Sequence, residues 1–442
     1  MKKKTVKLGV FLAGTGHHVA SWRHPHANPK ANMSIDYFKG LAQTAEKGLF
    51  DLLFLADSLS VAKDSHPNIL TRFEPLTLLS YLASATSNIG LVSTASTTYE
   101  EPFNVARKFA SLDHITSGRA GWNVVTTSLA STAVNFNKSE HLEHGLRYKR
   151  ATEFVEVTKK LWDSWEDDTL VIDKETGQFI DESKFHEINH QGEFFSVKGP
   201  LNISRSPQGH PVIVQAGSSG DGQLLAAKHA EIVFTAQENK EDAISFYHEL
   251  KGHLAAFNRE KSSLSIMPGL FPIVGQTEKE AQEKYEALQE LIIPEIGLAV
   301  MGRYFGNVDF SNIPLDTPFA DISLPDNVDS IQSKYDLIIK RAINENLTLR
   351  QTYQWVAGSR GHHIAIGTPT QIADKIEDWV NGNAADGFNI MSALLPDSLT
   401  DFVELVVPEL QSKGIFRTKY ESNTLRGNLG LDKPVNQYSH KL

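Results

Sequence analysis

Cysteine is absent from the 442 residues, which excludes disulfides, thiolate metal sites and thiol nucleophiles and leaves any metal centre to histidines and carboxylates. No run approaches the about 18 consecutive apolar residues of a membrane-spanning helix. Positive charge is not in excess either: 43 Lys and Arg stand against 53 Asp and Glu, for a net charge of −10. With no basic stripe, the chain offers no footing to a nucleic-acid backbone. The opening MKKKTVKLGVFLAG sets lysines before an apolar run, as secretory signals do, but that run is short, contains Lys7 and passes straight into polar GTGHH. It reads as a first strand, and a soluble, cytoplasmic protein is expected. Familiar cofactor motifs are missing as well. Gly14-x-Gly16 follows the first strand, but no third glycine stands at position 19 and the next helix begins only near Ser34, so the dinucleotide fingerprint fails. GxxxxGK[ST] is absent, and His17, His18, His24 and His26 crowd one loop without HExxH spacing. No metal site is assigned.

What is present is an alternation of short β-type runs with amphipathic helical stretches, the pattern of βα units on a parallel sheet. Eight strands are expected, over 6–12, 50–55, 89–93, 119–126, 211–217, 230–236, 264–275 and 387–391. Between them, Ser34 is placed to cap one helix and Pro102 sits in the first turn of another. Eight strands, each with its helix, fit a closed (β/α)8 TIM barrel better than an open sheet. Such barrels run from about 200 to over 400 residues as one unit. A single domain over 1–442 is therefore expected, with irregular insertions at about 166–210 and 298–346.

Barrel chemistry sits on the loops after strand C-termini. Asp57 follows the second strand, where it is either a helix cap or a ligand contact. Thr94 lies in the hydroxyl run STASTT after the third. Asn123 interrupts the apolar fourth strand, and a buried amide left unpaired costs about 1–3 kcal/mol. In HLEHGLRYKR, His144 and Tyr148 stand four apart on one helical face, with Arg147 beside them. Ser218 and Ser219, in QAGSSGDG ahead of a helix, let backbone N–H groups approach an anion.

Together GWNVVTT, HLEHGLRY, PVIVQAGSSGDG and GTPTQIADKIEDWV resemble the bacterial-luciferase-like flavin monooxygenases, in particular the nitrilotriacetate, dibenzothiophene-sulfone and long-chain alkane monooxygenase subgroup. The resemblance spans nearly the whole chain. It implies FMN at the barrel mouth, reduced by a separate NAD(P)H:flavin reductase, with dioxygen as oxidant and a small organic substrate oxidised beside nitrogen or sulfur. By the same resemblance Asp57 and Thr94 flank the flavin ring with Asn123 in their layer, and His144, Tyr148, Ser218 and Ser219 bind the ribityl-phosphate side. His18, or its neighbour His17, stands near the reactive face as the catalytic candidate, and the stretch between strands seven and eight covers the substrate. The first-loop cysteine of the alkane enzyme has no counterpart here. A homo-oligomer is expected. Likeness to sulfur-scavenging members narrows the substrate to an S-substituted, N-acylated cysteine. Two other readings stay open: an oxidoreductase using the deazaflavin F420, and a non-catalytic flavin-binding barrel.

Overall fold

The computed structural model describes residues 4–63, 65–324, 332–359 and 361–439. Strands β1 (Lys7–Phe11), β2 (Leu52–Leu55), β3 (Gly90–Ser96), β4 (Ala120–Val125), β7 (Val212–Gln215), β8 (Ile232–Thr235), β9 (Ser265–Val274) and β11 (Gly387–Ile390) follow one another side by side. The β8–β9 pairing, with Ile232 opposite Ser265, closes the ring, and every pairing in it is parallel. All eight expected strands are therefore present in a closed barrel. The helix Ile35–Lys47 begins on Ser34, whose Oγ accepts from Tyr37 N at 3.3 Å. Pro102 opens the helix Pro102–Ile115.

Strand alternation divides the barrel wall. Outward residues such as Trp122 pack with Phe109, Phe154 and Trp162 of the surrounding helices. Inward residues Leu52, Phe54, Val92, Val212, Val214, Ile232 and Met267 fill the interior. Leu425 and Leu429, from the segment after the last barrel strand, join that interior cluster at its lower end. Gly90 makes room for them, since a Cβ there stands 2.5 Å from Leu425 Cδ1. Ion pairs of Arg426 with Glu231 and of Arg417 with Asp51 lock the segment in place.

Two features differ from the sequence expectation. A ninth parallel strand, β10 (His363–Gly367), pairs with the outer half of β9 from Leu270 onward. The expected irregular stretch 298–346 is in part helical: Pro294–Arg303 reaches into it and Gln332–Asn344 lies within it, with Leu349–Ser359 following; residues 325–331 of it lie outside the described residues. Its Met301, Phe305, Phe310 and Phe319 form an apolar cluster with Tyr353 and with Val19 of the first loop. Prolines and polar residues between these short helices hide the pattern in the sequence. The 166–210 excursion carries a small antiparallel hairpin, β5 (His190–Gln191) with β6 (Ser196–Val197), and is pinned by Arg205 to Asp163 at 3.1 Å. Among the described residues, no helix is long and apolar enough to cross a membrane.

Candidate active site

The C-terminal ends of β2, β3, β4 and β7 enclose a cavity of about 280 Å³ lined by Asp57, Thr94, Ser96, Val125, Tyr148 and Ala216, among others. Asp57 lies two residues beyond β2. Its Oδ1 accepts from Ser58 N at 2.8 Å and pairs with Arg72 Nη2 at 3.4 Å. Burial pushes its carboxyl above the ordinary range, against the pull of Arg72. Thr94 belongs to β3, which runs three residues beyond its expected end at Ser93 because Thr94 and Ser96 pair with Asn123 and Val125 of β4. Thr94 Oγ1 donates to Leu55 O at 2.8 Å and accepts from Asn123 Nδ2 at 2.8 Å.

Asn123 is only 2% exposed, and its Oδ1 is buried with no hydrogen-bond partner. Inside a barrel such an orphan acceptor is costly unless a ligand donor meets it. Above it, Ser60 and Ser131 Oγ atoms meet at 3.1 Å and Asn135 Nδ2 donates to Leu59 O at 3.0 Å, which joins the loops after β2 and β4 into one lip.

Tyr148 and Ala216 of the lining lie near two helix N-termini in the chain. Ser219 caps the helix Gly220–His229, its Oγ accepting from Gly222 N at 3.2 Å. Ser218 and Ser219 are exposed. From the helix His144–Trp162, His144 Nδ1 reaches Asp221 Oδ2 at 3.3 Å, and its ring lies 4.9 Å from that of Tyr148. The pairing with Asp221 sets His144, and Tyr148 beside it, against the helix that Ser219 caps, and Tyr148 also lines the cavity. Arg147 does not join them: it is buried and donates through Nη1 to Leu142 O at 2.6 Å.

The first loop is less open than its histidines suggest. His17 and His18 are buried. His17 Nε2 lies 2.8 Å from Phe11 O. His18 Nδ1 accepts from Ala20 N at 3.2 Å, which assigns the proton to Nε2, 3.1 Å from Gln289 Oε1. Gln289 Nε2 in turn donates to Tyr285 OH at 2.5 Å, and burial pushes that phenol up to about 12. His18 thus stands where the first loop meets the helical cap, outside the cavity lining. His24 and His26 lie together further out, with His26 against Asp397 at 3.1 Å. Ser96 belongs to the hydroxyl run that the sequence offers after the third strand, whereas Arg72 and Gln289 escape sequence reasoning, because only the folded chain brings them to Asp57 and His18.

A family model described as luciferase-like monooxygenase matches residues 15–386. The chain is 59% identical over 438 residues to N-acetyl-S-(2-succino)cysteine monooxygenase of Bacillus subtilis (strain 168), covering 99% of each chain. It is 48% identical to nitrilotriacetate monooxygenase component A of Aminobacter aminovorans, covering 98% of each. The crystal structure of a riboflavin lyase with modified FMN and its substrate riboflavin superimposes with a TM-score of 0.83 at 31% identity, covering 98% of this chain and 97% of that one. The closed barrel, the pocket at its strand ends and these likenesses agree: the chain belongs to the luciferase-like monooxygenase family and is a monooxygenase.

Proposed function

We propose that the pocket binds FMN reduced by a separate NAD(P)H:flavin reductase, and that the enzyme uses dioxygen to oxidise a small S- or N-substituted organic acid, most specifically an N-acylated, S-substituted cysteine. The observation that carries the cofactor reading is the orphaned Asn123 Oδ1 behind Thr94, a residue of the cavity lining, with the helix capped by Ser219 starting shortly after Ala216 of that lining. A planar heterocycle with ring N–H donors answers the first feature and a phosphate answers the second. The 59% identity to an N-acylcysteine thioether monooxygenase supports the substrate, and a relative that is itself one component of a monooxygenase supports the separate reductase.

Reduced FMN, when bound, supplies the electrons and activates dioxygen. The rest falls to the chain. Asp57, Thr94 and Asn123 orient the ring. The amides at Ser218 and Ser219, with His144 and Tyr148, hold the phosphate. The helices between β9 and β10 keep water from the mouth. His18 holds a proton on Nε2 at the seam between mouth and cap.

Purified protein with NADH, FMN and N-acetyl-S-(2-succino)cysteine but no reductase is expected to be inactive, and an unrelated flavin reductase should restore turnover. Efficient NADH oxidation by this chain alone contradicts the reading. In the restored assay, His18→Ala should leave FMN affinity unchanged while oxygen goes to hydrogen peroxide, with product formation falling about 10²–10⁴-fold. Full coupled turnover in both His18→Ala and His17→Ala removes these histidines from the chemistry.

A further inference from the structure

The two halves of the barrel mouth are chemically unlike. Above β2, β3 and β4 the inward groups are Asp57, Thr94, Ser96 and Asn123. Across the axis, Phe11 of β1 and Phe234 of β8 meet Phe54, with ring centroids 4.9 Å apart for Phe11–Phe54, 5.6 Å for Phe54–Phe234 and 6.0 Å for Phe11–Phe234. Phe11 and Phe234 point into the barrel yet stay partly exposed, so this floor faces open space. Two imidazoles lie on it, and His17, its ring 4.4 Å from that of Phe11, is held there by Nε2 on Phe11 O. His362, just ahead of β10, sets its ring parallel to Phe234, at 5.7 Å and 7°.

That placement is built into the fold in two ways. On β9, Gly269 occupies an inward position between Met267 and Phe271, where a Cβ would stand 2.3 Å from His362 Nδ1 and 2.8 Å from Met391 Sδ. A glycine in a strand interior marks a close approach by another group, and here the group is an imidazole arriving from outside the eight-strand ring. The pairing of β10 with β9, His363 opposite Leu270, fixes the chain beside it, and His363 Nδ1 lies 2.7 Å from Glu238 O. The neighbouring His17 has its Nε2 on Phe11 O.

We propose that His362 is a specificity-determining residue, its imidazole N–H donating to a carboxylate of the substrate while the thioether lies against Phe11, Phe54 and Phe234. This rests on the carboxylated-thioether reading above. A carboxylate entering an aromatic floor needs a hydrogen-bond donor there to offset its desolvation, and imidazole has an N–H to give in either protonation state.

The test compares N-acetyl-S-(2-carboxyethyl)cysteine with the two derivatives in which one or the other carboxylate is an amide, using reduced FMN from an added reductase. The native enzyme should lose about 10–100-fold in kcat/KM, through KM, for one of the two amides. His362→Phe keeps a ring on Phe234 and should bring the diacid and that amide within about 2-fold of each other in kcat/KM, with FMN affinity unchanged. Gly269→Ala, which displaces the imidazole without removing it, should give the same loss of preference. A native preference that survives in both variants overturns the proposal and leaves the substrate reading standing, as does native turnover without any preference. If the native enzyme oxidises none of the three compounds, the substrate reading falls and the assignment of His362 falls with it.

Discussion

Ser219→Asp should weaken FMN binding about 100-fold or more and leave riboflavin binding within about 3-fold. Ser219 caps the helix Gly220–His229 through its side chain, and Asp caps a helix about as well as Ser, so the helix is expected to keep its start. What changes is charge. A carboxylate about 5 Å from a phosphate, at the effective dielectric of a protein surface, costs about 3 kcal/mol per pair of unit charges, a factor of about 100. Asp221 is already close by, but His144 stands against it at 3.3 Å, whereas a carboxylate at 219 has no such neighbour built for it. Titration of the two flavins, followed by fluorescence, reads the difference directly. Equal losses for FMN and riboflavin show that the loop does not face the phosphate.

Glu231→Ala should destabilise the whole barrel by about 3–5 kcal/mol. Glu231 sits half-buried at the lower end of the barrel. It accepts from Ile213 N at 2.9 Å and from Arg426 Nη2 at 3.0 Å, with Arg426 Nη1 on its other oxygen. Removing the carboxylate strands a guanidinium that is 4% exposed, under Leu425 and Leu429, which close the interior. The pH dependence has a definite sign. Burial alone raises the Glu231 carboxyl, but Arg426 overrides it and holds the folded value below the ordinary 4.5. The stability the pair contributes is therefore present above 4.5 and is lost as pH falls through the depressed folded value. The gap in unfolding free energy between native and Glu231→Ala should be full at neutral pH and shrink in acid. A gap that widens in acid, or a variant as stable as the native chain at pH 7, contradicts this account. Glu231→Gln, which keeps an acceptor, should fall between the two.

How far the sequence reveals this molecule depends on the range of the forces that place each residue. Strand and helix periodicity is local, so β1 to β4 and the helix starts at Ser34 and Pro102 are readable from single segments. Asn123 stands out because an amide interrupts an apolar strand, and Asp57 because it ends one. By contrast β10 is five residues long, begins on the second histidine of the polar run GHH and pairs only with the outer half of β9, so no alternation announces it. The segment with Arg426 has no period at all, and its importance lies in Glu231, 195 residues earlier. His362 escapes for the same reason, since only the missing Cβ of Gly269 on another strand admits it to the mouth. His18 is legible as a histidine after the first strand, but its attachment to Gln289, 271 residues away, is not.

Insertion of an oxygen atom by this barrel, by means of reduced FMN made elsewhere, can be followed with isotopically labelled dioxygen. Chemically reduced FMN, the purified protein and N-acetyl-S-(2-succino)cysteine are mixed with labelled oxygen in the absence of NADH and of any reductase. One labelled atom in the oxidised organic product, for each reduced FMN consumed in coupled turnover, is the result expected. Product carrying no label, or product formed only when NADH is supplied to this chain, contradicts it.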